Sequence, residues 1–229
     1  DQYLRKLRMI EALKKSVKNG FEGFELYYQP IVDPRTRKII ECEALLRWKN
    51  EEFQNASPAD FIPILEDTGL IKEVGRWIVR EAIKQVKAWE DPDLVLNINV
   101  SYKQLKNGEF ADYVLRVVEE YDYTPTRLVV ELTESCKAHD LPLLISTLDK
   151  LREKNIGVAL DDFGTGYSNL GKLKYLHANI IKIDRIFIKD GRIFEQTVLH
   201  SQIFKKHSFF QKDFLWRHHI KMSFLCFLI

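Results

Sequence analysis

The sequence predicts an α/β fold, a (β/α)8 barrel that is incomplete, with about six strands before a divergent tail. Three observations carry this. From the second strand onward, short apolar runs alternate with longer stretches of helical periodicity, the pattern of parallel strands joined by crossover helices. Nearly every apolar run ends in an acid, an amide or a lysine, and a barrel of parallel strands collects such residues on one rim. The 229 residues, 45% hydrophobic and 30% charged, suffice for one sizeable core and exclude a disordered chain.

The elements follow in order. Leu4, Leu7, Ile10, Leu13 and Val17 lie at helical spacing, and Asn19-Gly20 stops a lead-in helix over residues 1–20. Residues 25–32 read as a strand, Asp33-Pro34 as a turn and residues 38–48 as a second strand, so tightly joined that the pair is antiparallel. Ser57-Pro58-Ala59-Asp60 starts a helical stretch that runs to Trp89 with a break near Gly69. Strand-like runs at 94–100, 128–132, 156–160 and 180–183 then alternate with helix-like runs at 110–121, 143–152 and 170–176.

Several function classes are excluded by composition. The 35 Lys and Arg nearly balance the 33 Asp and Glu, a net charge of +2 that gives no reason to expect DNA or RNA as a partner. Cys42, Cys136 and Cys226 are too few and too scattered for a disulfide scaffold or a zinc site, so a reducing, cytoplasmic setting is expected. No run approaches the ~18 apolar residues of a membrane span, and no membrane contact is expected from this segment. The first residue is Asp rather than Met, which suggests a piece of a longer chain.

The strand ends hold the candidate site. A strand-end Asp or Asn is often only the cap of the next helix, and Ser101 and Asp140 are read that way. Glu43 differs, because Ala44, Leu45 and Leu46 continue the strand beyond it; Glu131, between Val130 and Leu132, has the same character. Acids inside apolar runs are rare unless paired or metal-bound. Glu43, Asn99, Glu131 and Asp161, from successive strands, form a hard-oxygen set suited to Mg2+ or Mn2+, and Asp162 could reach a second ion. Lys182 would hold or help deprotonate an attacking water; its bland alternative is an ion pair with a neighbouring acid. Arg47, four residues beyond Glu43, could clamp a phosphate oxygen.

The segments Tyr28-Gln29-Pro30-Ile31, Glu43-Ala44-Leu45-Leu46-Arg47-Trp48, Asn99-Val100-Ser101, Glu131-Leu132-Thr133-Glu134, Asp161-Asp162-Phe163-Gly164-Thr165-Gly166-Tyr167-Ser168 and Ile181-Lys182-Ile183-Asp184 occur in this order. Together they resemble the EAL domain, the bacterial phosphodiesterase of cyclic di-GMP, over residues 21–190. The resemblance implies a TIM-like barrel with an antiparallel first strand and hydrolysis of cyclic di-GMP to linear pGpG. It implies metal ligation by Glu43, Asn99, Glu131 and Asp161, with Asp162 at the second ion. Lys182 resembles the lysine that orients the water, and Glu134 the glutamate that anchors the loop after Asp162. Gln29, Arg47 and Asp184 match substrate-contacting positions. A homodimer and an upstream sensor or GGDEF domain are compatible with the resemblance.

Beyond residue 190 the match stops. Six of the 35 bases and two of the 33 acids lie in residues 191–229, so this segment carries +4 and the rest −2. It holds seven of the 14 Phe, four of the six His, one Gly and no Pro. Strand-turn-helix units need turn residues, and the family's seventh-strand Glu-Gly-Val-Glu string is absent. A truncation or shifted reading frame is expected, with a tail unable to supply two register-matched strands. Three classes stay open: an active phosphodiesterase, a non-catalytic cyclic di-GMP receptor, and a truncated remnant.

Overall fold

A computed structural model describes residues 2–33, 35–106, 108–133, 141–163, 178, 180–183 and 221–223. Its sheet has the strand order β1-β2-β3-β4-β5-β6-β7. β1 (Phe24–Val32) pairs antiparallel with β2 (Ile39–Trp48), as the tight connection requires. β3 (Val95–Asn99), β4 (Leu128–Thr133), β5 (Gly157–Phe163) and β6 (Ile180–Ile183) then add in parallel, one after another. Among the described residues six strands thus precede residue 190.

A seventh, β7 (Lys221–Ser223), lies within the tail and pairs parallel to β6. The tail, expected to supply no pair of register-matched strands, contributes one short strand over three described residues. Backbone pairing needs no particular side chain, so turn residues and hydrophobic pattern gave no warning of it. Among the described residues β1 and β7 are the end strands of the sheet.

The helices are α1 (Gln2–Lys18), α2 (Pro58–Thr68), α3 (Ile71–Ala88), α4 (Tyr102–Leu105), α5 (Glu109–Glu120) and α6 (Leu141–Glu153). Gly69, at φ +79°, ends α2 in a left-handed turn, which accounts for the break between α2 and α3. The lead-in helix α1 is part of the core: Met9, Leu13 and Val17 are buried, and Trp48 Nε1 on β2 donates to Ser16 Oγ at 3.0 Å. Across the outside, Arg76 pairs with Glu109 and Arg80 with Glu120, tying α3 to α5.

Strand side chains alternate between two faces. Cys42, Ala44, Leu46 and Trp48 of β2, Leu96 and Ile98 of β3, Leu128, Val130 and Leu132 of β4, and Val158 and Leu160 of β5 belong to the large core shared with the helices. The other face is different. There Val129, Ala159 and Ile180 make a separate small cluster, with Val95 packed against it. Above that cluster, toward the C-terminal ends of the parallel strands, the residues become polar.

Candidate metal centre

Four elements deliver the polar cluster. Glu43 lies mid-strand in β2, Asn99 ends β3, Glu131 sits on β4 in register with Asn99, and Asp161 lies on β5 in register with Thr133. The stagger of successive strands offsets the backbones, yet carboxylate oxygens of Glu43, Glu131 and Asp161 all lie within 4.8 Å of one another. Glu131 is wholly buried and Glu43 8% exposed, whereas Asp161 is half-buried and Asn99 open to solvent. The cluster is therefore sealed from below and reachable from the rim.

Lys182, 5% exposed, enters from β6. Its Nζ forms an ion pair with Glu131 Oε1 and lies 3.7 Å from Glu43 Oε2. Apart from that pair, neither Glu131 oxygen has a hydrogen-bond partner among the described residues. Burial pushes the Glu131 carboxyl up to about 8, and Glu43 and Asp161 push the same way against the pull of Lys182. Burial works against the Lys182 charge, but Glu131, Glu43 and Asp161 outweigh it and raise its pKa. Three acids share one ammonium, so the cluster carries excess negative charge.

Asn99 Nδ2 donates to Glu43 Oε1 at 2.6 Å. With the amide nitrogen so engaged, Oδ1 is left as the available donor atom. The set is three carboxylates, with the Asn99 amide bonded to one of them, all hard oxygens, and the Glu131 oxygens under-satisfied at its centre. Such a set fits a divalent cation of the Mg2+ or Mn2+ type and suits a soft metal poorly.

The end of β3 is held from behind. Ser101 N donates to Gln104 Oε1 at 2.9 Å, and Ser101 Oγ donates to Glu66 at 2.6 Å. Gln104 fits because Gly75 faces it on α3: a Cβ there would lie 1.9 Å from Gln104 Nε2. Ser101 caps α4, as expected from sequence. The one-turn α4 itself was not foreseen, although Ser101 and Gln104 are spaced as a capping box.

Gln29 is half-buried and in register with Glu43 across the antiparallel pair, so it shares the inward face. Arg47, two positions further along that face than Leu45, donates to the Leu46 carbonyl at 2.9 Å and lies over the Tyr27 ring, 5.4 Å from its centroid. The backbone of Asp162 follows Asp161 in β5, but its side chain lies outside what is described. Glu134, Asp184 and the loop 164–168 also lie outside the described residues. One pair escaped the sequence reading: Glu41 and Asn97, both buried, with Asn97 Nδ2 donating to Glu41 Oε2 at 3.0 Å. The signal was available, since Glu41 and Asn97 repeat Glu43 and Asn99 at a spacing of two.

Fold and site together define a TIM-like α/β domain with an oxygen-donor centre at the C-terminal ends of its parallel strands. The model of the EAL domain matches residues 10–204, and the chain belongs to the EAL domain family. It is 38% identical over 188 residues to cyclic di-GMP phosphodiesterase PA2567 of Pseudomonas aeruginosa, an alignment covering 81% of this chain and 32% of that protein. It is 34% identical over 187 residues to the bifunctional diguanylate cyclase/cyclic di-GMP phosphodiesterase MucR of the same species, covering 80% of this chain and 27% of that one. The chain thus spans about a third of the length of these relatives or less. Among solved structures it resembles the PaMucR phosphodiesterase in its c-di-GMP complex, with TM-score 0.75 and 29% identity over 94% of this chain and 85% of that one. It also resembles the EAL enzyme Bd1971 in its cAMP- and cyclic-di-GMP-bound form, with TM-score 0.79 and 27% identity over 97% of this chain and 59% of that one. Among the described residues no helix is long and apolar enough to cross a membrane.

Proposed function

We propose that this chain carries a cyclic di-GMP phosphodiesterase site that opens the cyclic dinucleotide to linear pGpG with Mg2+ or Mn2+. The observation that carries this is the convergence of Glu43, Glu131 and Asp161 within 4.8 Å, beside Asn99, at the C-terminal ends of the parallel strands. In this reading Glu43, Asn99, Glu131 and Asp161 hold one ion and Asp162 contributes to a second. When bound, the ions supply Lewis acidity toward the phosphate oxygens and make water a better nucleophile.

The chain's own residues do the rest. Lys182, on the floor of the site, holds and orients the attacking water by donating to it from its ammonium. Gln29 and Arg47 line the inward face of β1 and β2 and orient the dinucleotide, Arg47 through a phosphate oxygen. Glu134 anchors the loop 163–168, and Asp184 contacts substrate. The PaMucR phosphodiesterase in its c-di-GMP complex, 29% identical over 94% of this chain, supports the ligand assignment. A homodimer, an upstream sensor or GGDEF domain and a cytoplasmic location complete the reading.

The 229 residues contain no Glu-Gly-Val-Glu string. A protein of these residues alone should therefore turn over at least ~100-fold more slowly than a version given a seventh strand bearing those glutamates, the scale of losing acid–base groups. The test is pGpG formation from cyclic di-GMP by both proteins with Mn2+ or Mg2+ and with EDTA. Metal-dependent pGpG formation, slower in the shorter protein, is expected. No hydrolysis by either protein would contradict the assignment, and equal rates would contradict the impairment.

A further inference from the structure

Below the Glu43–Asn99 pair lies a second pair of the same composition, Glu41–Asn97. Glu41 is 5% exposed and Asn97 fully buried. Asn97 Nδ2 donates to Glu41 Oε2 at 3.0 Å and lies 3.5 Å from the Cys42 carbonyl oxygen. Two features need explaining. Lys182 pairs with Glu131 and Glu43 and not with Glu41, and among the described residues no cation forms an ion pair with Glu41. Asn97 Oδ1 is buried with no hydrogen-bond partner.

A buried carboxylate without a cation is destabilising, and an apolar residue would pack here at lower cost. The compensating positive charge must come from nearby. Residues two apart on a strand are separated by roughly 7 Å, which puts Glu41 one step below the centre formed by Glu43, Glu131 and Asp161. Charges at that separation inside a protein interact far more strongly than in water. The single charge of Lys182 is already shared among three acids, so a divalent ion in that centre would supply the compensating charge that Glu41 lacks.

We propose that Glu41 is a positioning residue of the metal centre. It touches no ion; its carboxylate, fixed by Asn97, adds negative charge beneath the ligands and tightens divalent-cation binding while destabilising the metal-free protein. This rests on the metal reading of the site given above.

The test uses the whole 229-residue protein with Mn2+ alone as the probe, titrated by calorimetry, together with thermal melting in EDTA. Glu41→Gln keeps the shape, retains an acceptor for Asn97 Nδ2 and offers a donor to the orphaned Asn97 Oδ1, so the fold should survive. Two changes of opposite sign are expected: a higher melting temperature in EDTA, and Mn2+ affinity about tenfold weaker, as when outer-shell partners of a metal are lost. Glu41→Ala, which also removes the charge, should weaken Mn2+ binding by a similar factor. A role confined to joining β2 and β3 would instead lower the melting temperature and leave Mn2+ affinity within about twofold of the parent, and that result overturns the proposal. If the parent itself binds no Mn2+, the metal reading falls and this inference with it. If the parent binds and Glu41→Gln binds equally well, only the assignment of Glu41 falls.

Discussion

One strand, β2, shows two regions built on opposite terms. Cys42, Ala44, Leu46 and Trp48 are buried, apolar and packed among helices. Glu41 and Glu43, alternating with them, are just as buried but carboxylic, with one of the two reached by a shared lysine. The outer face gains stability from every methylene removed from water. The inner face gathers like charges, which cost stability unless a cation joins them. The difference teaches where to look for function: burial alone does not mark it, but burial combined with charge does.

If that contrast holds, changes to the two faces should separate stability from activity. The largest effect belongs to the inner face. Glu43→Ala or Asp161→Ala should abolish pGpG formation at saturating metal while leaving the melting temperature in EDTA unchanged or raised, because each removes a proposed ligand and a repelling charge together. Near-normal turnover in either variant would erase the distinction.

On the outer face the expected effect is on folding. Leu96, fully buried between β2 and β4, should cost about 2–5 kcal/mol when changed to Ala. Denaturant titration reads this directly, and the Mn2+ affinity of the folded fraction should stay at the parent value.

The contrast also has a pH signature. The Glu131 carboxyl is pushed up to about 8 from an ordinary 4.5, burial being the main cause. A raised pKa of this kind contributes stability that is fully present below pH 4.5 and lost as pH rises through about 8. Metal-free protein should therefore melt on the order of 5 °C lower at pH 8 than at pH 5. Glu131→Gln should flatten that slope. Divalent affinity should move the opposite way, strengthening across the same window as the ligands deprotonate.

The smallest effect tests the join between α1 and the sheet. Ser16→Ala removes the acceptor of the buried Trp48 Nε1 and should cost about 1 kcal/mol. Activity should not change. Together the four measurements either keep the two faces distinct or merge them.

Much of this was legible in the sequence because apolar periodicity and strand-end acids are local signals. Glu43 and Glu131 stood out because an acid interrupts an apolar run, and both are buried in the cluster. β5 was read three residues short at its end, since Asp161-Asp162 looked like a strand's end rather than its continuation to Phe163. Glu41 went unnoticed because only Cys42 separates it from Glu43, so no apolar run continues beyond it as one does beyond Glu43, although the spacing of two to Glu43 was there to be read. Asn97 was hidden in Leu-Asn-Ile-Asn, where only the second amide sits at the strand end. β7 had no local signal at all, being defined by its partner β6.

The central claim is that the inner polar face is a divalent-cation centre. Crystals of the protein grown with Mn2+, with anomalous scattering recorded near the manganese edge, test it most directly. The account predicts a strong anomalous peak about 2.1 Å from oxygens of Glu43, Asn99, Glu131 and Asp161. An inner cluster without a peak, with Lys182 still paired to Glu131 and manganese bound only at surface carboxylates, would contradict it.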